Sequence, residues 1–394
     1  MNSVLGQSKL LAACGLMAAL PLQAAQAQNV DGALDRLKEL TVGQGIVLDW
    51  QDARISGSDV ELVGVTAKAG EETAVVGDVQ LKGIGEIDQG YRIAEITLPQ
   101  YKFGGDEGSL ALDGISMTDV ILPNEAEIDR FGGFLFYKTA DMAKAAFTID
   151  GTDIFTMDDL RVEVTEPVGD GPMSFIGNAR NFNVDLSIVD DPNSKAVIEA
   201  LGYQTLTGDF QMAGSWRASD GRMELSQYDV TVNDAGTLGL SFDLGGYTTD
   251  FVKSLRELQQ QMAESPEGED NSAQGLAMLG LLQQLNFHRA EITFADDSLT
   301  GKLLDYAAKQ QGTTPSNVAN QAKAVLPFVM AQLNNPDLTK MVASAVSTFL
   351  DDPKSLRVTA APEEPVPFAL IMAGAMSAPQ ELTKTLGVNV TAND

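Results

Sequence analysis

The chain is poor in the residues that most often carry chemistry. Its 394 residues include one cysteine, Cys14, one histidine, His288, and only 6% aromatic side chains. One histidine leaves no His-Glu-x-x-His pair, and one cysteine cannot complete the usual zinc ligand sets. No Gly-x-Ser-x-Gly elbow and no Ser-x-x-Lys pair occurs, so a serine nucleophile has no local signature, and a triad assembled from distant residues has to use His288. Gly301-Lys302 lacks the upstream glycine and the following Ser/Thr of a phosphate loop, and Gly43-Gln44-Gly45 does not extend into a dinucleotide fingerprint. No cofactor and no metal is expected on these grounds. Positive charge is scarce as well: 26 Lys and Arg face 55 Asp and Glu, a net charge of −29. That excludes a basic footprint for nucleic acid and opposes attraction to anionic lipid. No apolar run reaches 18 residues, so no transmembrane helix is expected.

What is present begins with an export signal. Lys9 precedes the apolar stretch Leu10 to Leu20, Pro21 breaks it, and Ala25-Gln26-Ala27 offers a small-x-small cleavage site before Gln28. A rival reading takes Leu11-Ala12-Ala13-Cys14 as a lipobox with Cys14 acylated. Cleavage after Ala27 removes residues 1–27, and with them the only cysteine. A secreted chain of this kind has no disulfide and depends on an ordinary core. A periplasmic location is the expectation.

Two regions differ in charge and in periodicity. Residues 28–250 carry 39 acidic and 15 basic side chains, and residues 251–394 carry 16 and 10. The first region opens with a helix from Val30 to Leu40, whose Val30, Ala33, Leu34, Leu37 and Leu40 form one stripe. Period-two alternation follows in Gly45–Trp50, Asp59–Val65, Val79–Leu81, Tyr91–Leu98 and Ser109–Leu112, then in Ala146–Asp150, Leu160–Thr165, Met173–Ile188, Gly208–Trp216, Met223–Val232 and Leu238–Leu244. Short helices are predicted near Lys138–Ala145 and Asn193–Leu201. Three copies of Leu-x-Gly-(Val/Ile), at Leu62–Val65, Leu81–Ile84 and Leu112–Ile115, read as strands kinked at the glycine.

From Thr248 the pattern turns helical. Helices are predicted over Thr248–Ala263, Ala273–Leu285, Ser298–Gln310, Ser316–Leu333 with a kink at Pro327, Pro336–Leu350 and Phe368–Met376. Strands are predicted at His288–Phe294, Ser355–Ala360 and Gly387–Thr391, and an acidic flexible loop at 264–273. The fold class is therefore α+β: a long twisted antiparallel meander with C-terminal helices packed on one face, 28–250 and 251–394 sharing one continuous core.

Candidate sites are few. With 55 carboxylates a glycosidase pair has no locatable members. Asp150, Asp153, Asp158 and Asp159 cluster as calcium ligands would, but without the glycine and closing Glu of an EF-hand loop, and they also read as turn and edge acids. The apolar faces of the late helices admit two readings, a core against the sheet or a groove for an acyl chain or amphipathic partner. On the second, Phe328, Met330, Met341, Phe349, Met372 and Met376 are the ligand-binding candidates, methionine suiting adaptable apolar surfaces.

The signal, the short helix, Gly45–Trp50 and the repeated Leu-x-Gly-(Val/Ile), with Gly202-Tyr203, Gly208, Trp216, Gly221, Leu225, Tyr228 and Leu238 further on, resemble AsmA-like and related β-rich periplasmic envelope proteins over roughly residues 30–245. That resemblance implies a curved sheet whose apolar concave face meets lipid. The expected function is a soluble, non-enzymatic periplasmic protein that binds lipid or an envelope component. The alternatives are an assembly factor working through protein contacts and a carboxylate-dependent hydrolase of envelope glycans. The oligomeric state is not legible.

Overall fold

A computed structural model describes residues 20–70, 72–105, 108–264 and 272–394. Cys14, the first part of the expected signal and most of the acidic run at 264–273 lie outside the described residues. The elements are, in order, α1 (Leu20–Val42), β1 (Ile46–Asp49), β2 (Asp52–Ser56), β3 (Asp59–Ala69), β4 (Glu72–Ile87), β5 (Gly90–Gly104), β6 (Gly108–Pro123), β7 (Thr139–Ile149), β8 (Thr152–Thr165), β9 (Met173–Asp185), α2 (Pro192–Leu201), β10 (Thr205–Arg217), β11 (Arg222–Val232) and β12 (Gly236–Gly245). Then come α3 (Thr249–Glu264), α4 (Ser272–Leu282), β13 (Asn286–Asp296), α5 (Leu299–Gln311), α6 (Pro315–Met330), α7 (Pro336–Asp351), β14 (Ser355–Ala360), β15 (Val366–Pro367), α8 (Phe368–Ser377), α9 (Leu382–Thr385) and β16 (Val388–Ala392). The strands form a 16-stranded antiparallel sheet whose order follows the chain, with β2 pairing β3 and β15 pairing β13 off the main path. The chain divides into two compact units at Lys144/Ala145.

In the first unit α1 carries Val30, Ala33, Leu34, Leu37 and Leu40 as one buried stripe, against Val60, Leu62, Leu81, Ile93, Val120 and Leu122 of the sheet. The three-and-four spacing puts these residues on one side of the helix, and the strand period puts their partners on one face. The helix begins at Leu20, ten residues before the expected start. Arg36, buried on α1, donates through Nε to the Pro123 carbonyl at 2.7 Å and through Nη1 to Glu125 at 2.6 Å, tying the helix to the end of β6.

The Leu-x-Gly-(Val/Ile) copies are kinks. Gly64, Gly83 and Gly114 have φ of 63°, 65° and 64°, and the β3–β4 register shifts between Leu62 and Val65. The amide freed at each of the first two kinks is met by a carboxylate on the neighbouring strand: Gly64 N–H donates to Asp78 and Gly83 N–H to Asp59, both at 2.8 Å.

The helix predicted at Lys138–Ala145 is a strand. Thr139 and Thr118 share a hydroxyl hydrogen bond of 2.6 Å, and Lys138 N–H donates to the Thr118 carbonyl. A Cβ on Gly114 would lie 2.8 Å from Ala143 Cβ, so a small residue is wanted opposite the kink. The alanines that suggested a helix therefore serve close strand packing, and tertiary context overrides local propensity. Strand β2, Asp52–Ser56, was not anticipated; it is too short to show alternation.

In the second unit the predicted helices are present within a few residues. Asp191 caps α2 by accepting from Ser194 N–H, Thr248 Oγ1 accepts from Phe251 N–H before α3, and Asn335 caps α7 by accepting from Leu338 N–H. Pro327 falls in the last turn of α6, which gives way to a 3-10 turn at Ala331–Leu333. Asp150 sits at φ 48° in the β7–β8 turn and Asp159 at φ 53° within β8, positions where a short polar side chain is tolerated.

Gly83→Ala forces a side chain into left-handed backbone and to 2.9 Å from Ala94 Cβ, whereas a Cβ on Gly85 meets nothing within 4 Å. Urea unfolding is expected to show Gly83→Ala destabilised by at least about 1–2 kcal/mol and Gly85→Ala near wild type. Equal midpoints for the two variants would contradict the kink assignment.

Candidate functional site

Residues opposite one another in an antiparallel pair share a face, so the register assigns faces without reference to side chains. One row crosses the second unit through Ala179 on β9, Phe210 on β10, Val230 on β11, Leu238 on β12, Phe294 on β13, Leu356 on β14 and Ala392 on β16. Two residues away on the same face, Leu240, Ile292, Val358 and Val390 form a second row, with Met212 and Tyr228 paired on β10 and β11. Neither row contains a charged side chain. Seven strands at roughly 4.8 Å spacing make the first row about 29 Å long.

Burial is uneven along this face, with Ala179 on β9 and Val390 on β16 buried. Phe349 of α7 stands edge-on to Phe294 with ring centroids 6.3 Å apart, and Met341 Sδ accepts from Val390 N–H at 3.0 Å. Over β11–β14 the rows are open: Leu240 is 37%, Val358 38%, Ile292 50% and Leu238 53% exposed. Scattered surface leucines are ordinary, but four that neighbour each other in register form a continuous apolar patch.

The opposite face is polar. Gln227 donates to Gln211 at 3.4 Å and to Asp229 at 2.7 Å, and Gln211 donates to Asp209. Glu291 lies between Arg289 at 2.7 Å and Arg357 at 3.4 Å. Two hollows occur there, about 470 Å³ beside Asn178, Arg180 and Asp209 and about 330 Å³ beside Asp229, Ser241 and Thr293. The carboxylates in this trough are engaged by neighbouring amides and guanidinium groups.

The six residues proposed from sequence fall in separate places. Met341 and Phe349 lie on α7, Phe349 beside Phe294 and Met341 accepting from the Val390 backbone N–H. Phe328 is 78% exposed on α6, with Met330 half-buried at its end, and α6 packs against α5 and α7. Met372 is half-buried and Met376 exposed on α8, which packs against α4 and β15. The open rows on β11–β14 were missed as a site. Their alternation is visible in Leu238-Gly239-Leu240-Ser241-Phe242, but alternation does not tell whether the apolar face acquires a cover.

The single histidine sits where the β12–β13 register shifts, between Arg289 opposite Asp243 and Phe287 opposite Leu244. Arg222 bridges three strands, pairing with Asp243 through Nη2 and lying 3.2 Å from His288 Nε2 through Nη1. A guanidinium only donates, so Nε2 accepts and the ring is neutral with its proton on Nδ1. A Cβ on Gly245 would come 2.9 Å from Nε2, so that glycine gives the ring its room. Burial, and then the Arg222 charge, hold the His288 pKa below its ordinary value.

Comparison with known families matches residues 229–393 to a family described as "Uncharacterized protein". The match begins on β11 and takes in Leu238, Leu240, Ile292 and Val358. No curated protein matches the chain.

A lowered histidine pKa means that the unfolded chain binds the proton more readily than the folded one. The stabilising effect is complete above the unfolded value of about 6.5 and is lost as pH falls from there through the folded value. Thermal unfolding between pH 7.5 and 5.5 should show the melting temperature declining over that window. Because no other histidine exists, His288→Gln should flatten it; an unchanged slope in the variant would show that His288 does not set the pH dependence.

Proposed function

We propose that this is a non-enzymatic periplasmic lipid-binding protein whose acyl ligands lie across the open apolar rows of β11–β14. The observation that carries the reading is the set Leu238, Leu240, Ile292 and Val358, joined in register on one face and exposed. The four strands β11–β14, at roughly 4.8 Å spacing, make the open stretch about 14 Å across, close to the ~15 Å that one leaflet of acyl chain occupies in a ~30 Å hydrocarbon core. Completing the burial of four half-exposed aliphatic side chains is worth about 3–6 kcal/mol before the cost of ordering the ligand.

In this reading the late helices flank one face of the sheet. The contact of Phe349 with Phe294 supports it, since Phe294 belongs to the apolar rows. The polar face is the solvated one. The proposed role is also what a resemblance to AsmA-like envelope proteins implies, and export through residues 1–27 would bring the protein to the compartment where envelope lipids are met.

Native mass spectrometry of protein purified from a bacterial envelope fraction tests the reading. Wild type is expected to carry lipid-sized adducts, and the double variant Leu240→Asp, Ile292→Asp to lose them while keeping its circular dichroism spectrum. Wild-type protein free of adducts would overturn the proposal.

A further inference from the structure

Two helices are unusual for so charged a chain. α4 (SAQGLAMLGLL) and α8 (FALIMAGAMS) contain no ionisable side chain, in a sequence with 55 acids and 26 bases. They touch one another, and their inner sides join a small cluster in which Leu281, Leu285, Phe251 and Leu258 are buried and Leu282 and Phe368 pack around them. Their outer sides remain bare: Leu276 is 69%, Leu370 60% and Met376 89% exposed, and α8 has no fully buried residue. A helix apolar on all sides belongs in a protein core or in hydrocarbon.

From this we infer that α4 and α8 form an end of the protein that inserts into the surface of a lipid bilayer, an inference that rests on the lipid-binding reading above. Three observations select lipid. The ten residues of α8, about 15 Å, are uncharged from end to end between charged flanks, as suits a helix lying along the boundary of acyl chains and headgroups with its flanks in the headgroup layer. The ends of α8 carry the exposed carboxylates Glu363, Glu364 and Glu381 against the one cation Lys384, so insertion has to be driven by apolar contact with uncharged or zwitterionic lipid. Lastly, α8 is continuous with the apolar sheet face. Leu244 on β12 is opposite Phe287, Phe287 is opposite the buried Val366, and Phe368 N–H donates to the Leu285 carbonyl at 3.0 Å where the helix begins. The apolar residues of β12 and β13 thus lead, in register and along the chain, to the start of the helix.

The test uses the full chain with phosphatidylcholine vesicles, with and without phosphatidylglycerol. Met376→Trp, at a position open enough to accept the larger ring, is expected to shift its emission to the blue on adding phosphatidylcholine alone. Leu370→Asp combined with Met376→Asp is expected to weaken vesicle flotation at least tenfold, while Val168→Asp, at an exposed apolar position outside both helices and both rows, floats like wild type. Unshifted tryptophan emission would overturn the inference, and so would flotation that needs phosphatidylglycerol and vanishes in salt. A dimer dissolved by the Leu370/Met376 change, without vesicle binding, would assign the surface to a second copy instead. Lipid adducts on wild-type protein that does not float would leave the lipid-binding reading standing and remove this one.

Discussion

Antiparallel pairing of consecutive strands is the constraint on which the rest depends. Each residue is held opposite a partner on the same face, so neighbouring strands that alternate apolar and polar residues build an apolar face within each unit. Such a face has to be covered or used. In the first unit α1 covers it, with five side chains at helical spacing meeting Val60, Leu62, Leu81, Ile93, Val120 and Leu122. In the second unit α7 reaches Phe294 and Val390, and the rows over β11–β14 stay open. The candidate site is where the cover ends, so it is a property of the fold before it is a property of any residue.

The kinks explain how long strands remain paired. Strands of 15 or 16 residues, such as β4, β5 and β6, exceed the usual length by more than twofold. Glycine in left-handed conformation interrupts the pleat, and aspartate on the next strand takes up the amide that loses its partner. Every described non-glycine residue with positive φ is Asp or Asn. Part of the acid surplus is therefore spent on backbone conformation, which composition cannot distinguish from a surface charge meant for a partner.

Much of the fold was legible for the same reason: alternation and capping are local. The strands at Asp59, Tyr91, Ser355 and Gly387 and the caps at Asp191, Thr248 and Asn335 could be read from a few neighbouring residues. Lys138–Ala145 could not, because its alanines answer to Gly114 on another strand. The site was half legible. Met341 and Phe349 stand out in the sequence as apolar helix residues, and α7 brings Phe349 to Phe294 of the rows and Met341 to the Val390 backbone N–H. Leu238, Leu240, Ile292 and Val358 carry as clear a periodicity, yet what sets them apart is the absence of a neighbour, and that depends on where helices a hundred residues later come to rest.

An open apolar face on a long sheet is ordinarily an aggregation hazard. Here the net charge of −29 acts against it. Two copies approaching face to face bring their acids together, and at physiological ionic strength that repulsion acts within about 8 Å, the range at which apolar faces would begin to shed water. An uncharged lipid approaching the same face meets no such barrier. On the lipid-binding proposal, acidity and bare apolar surface are complementary: the charge opposes the approach of other copies of the chain and of nucleic acid, and does not oppose a neutral hydrocarbon chain. On this argument the charge is part of the specificity of the apolar face, although no acid belongs to either row.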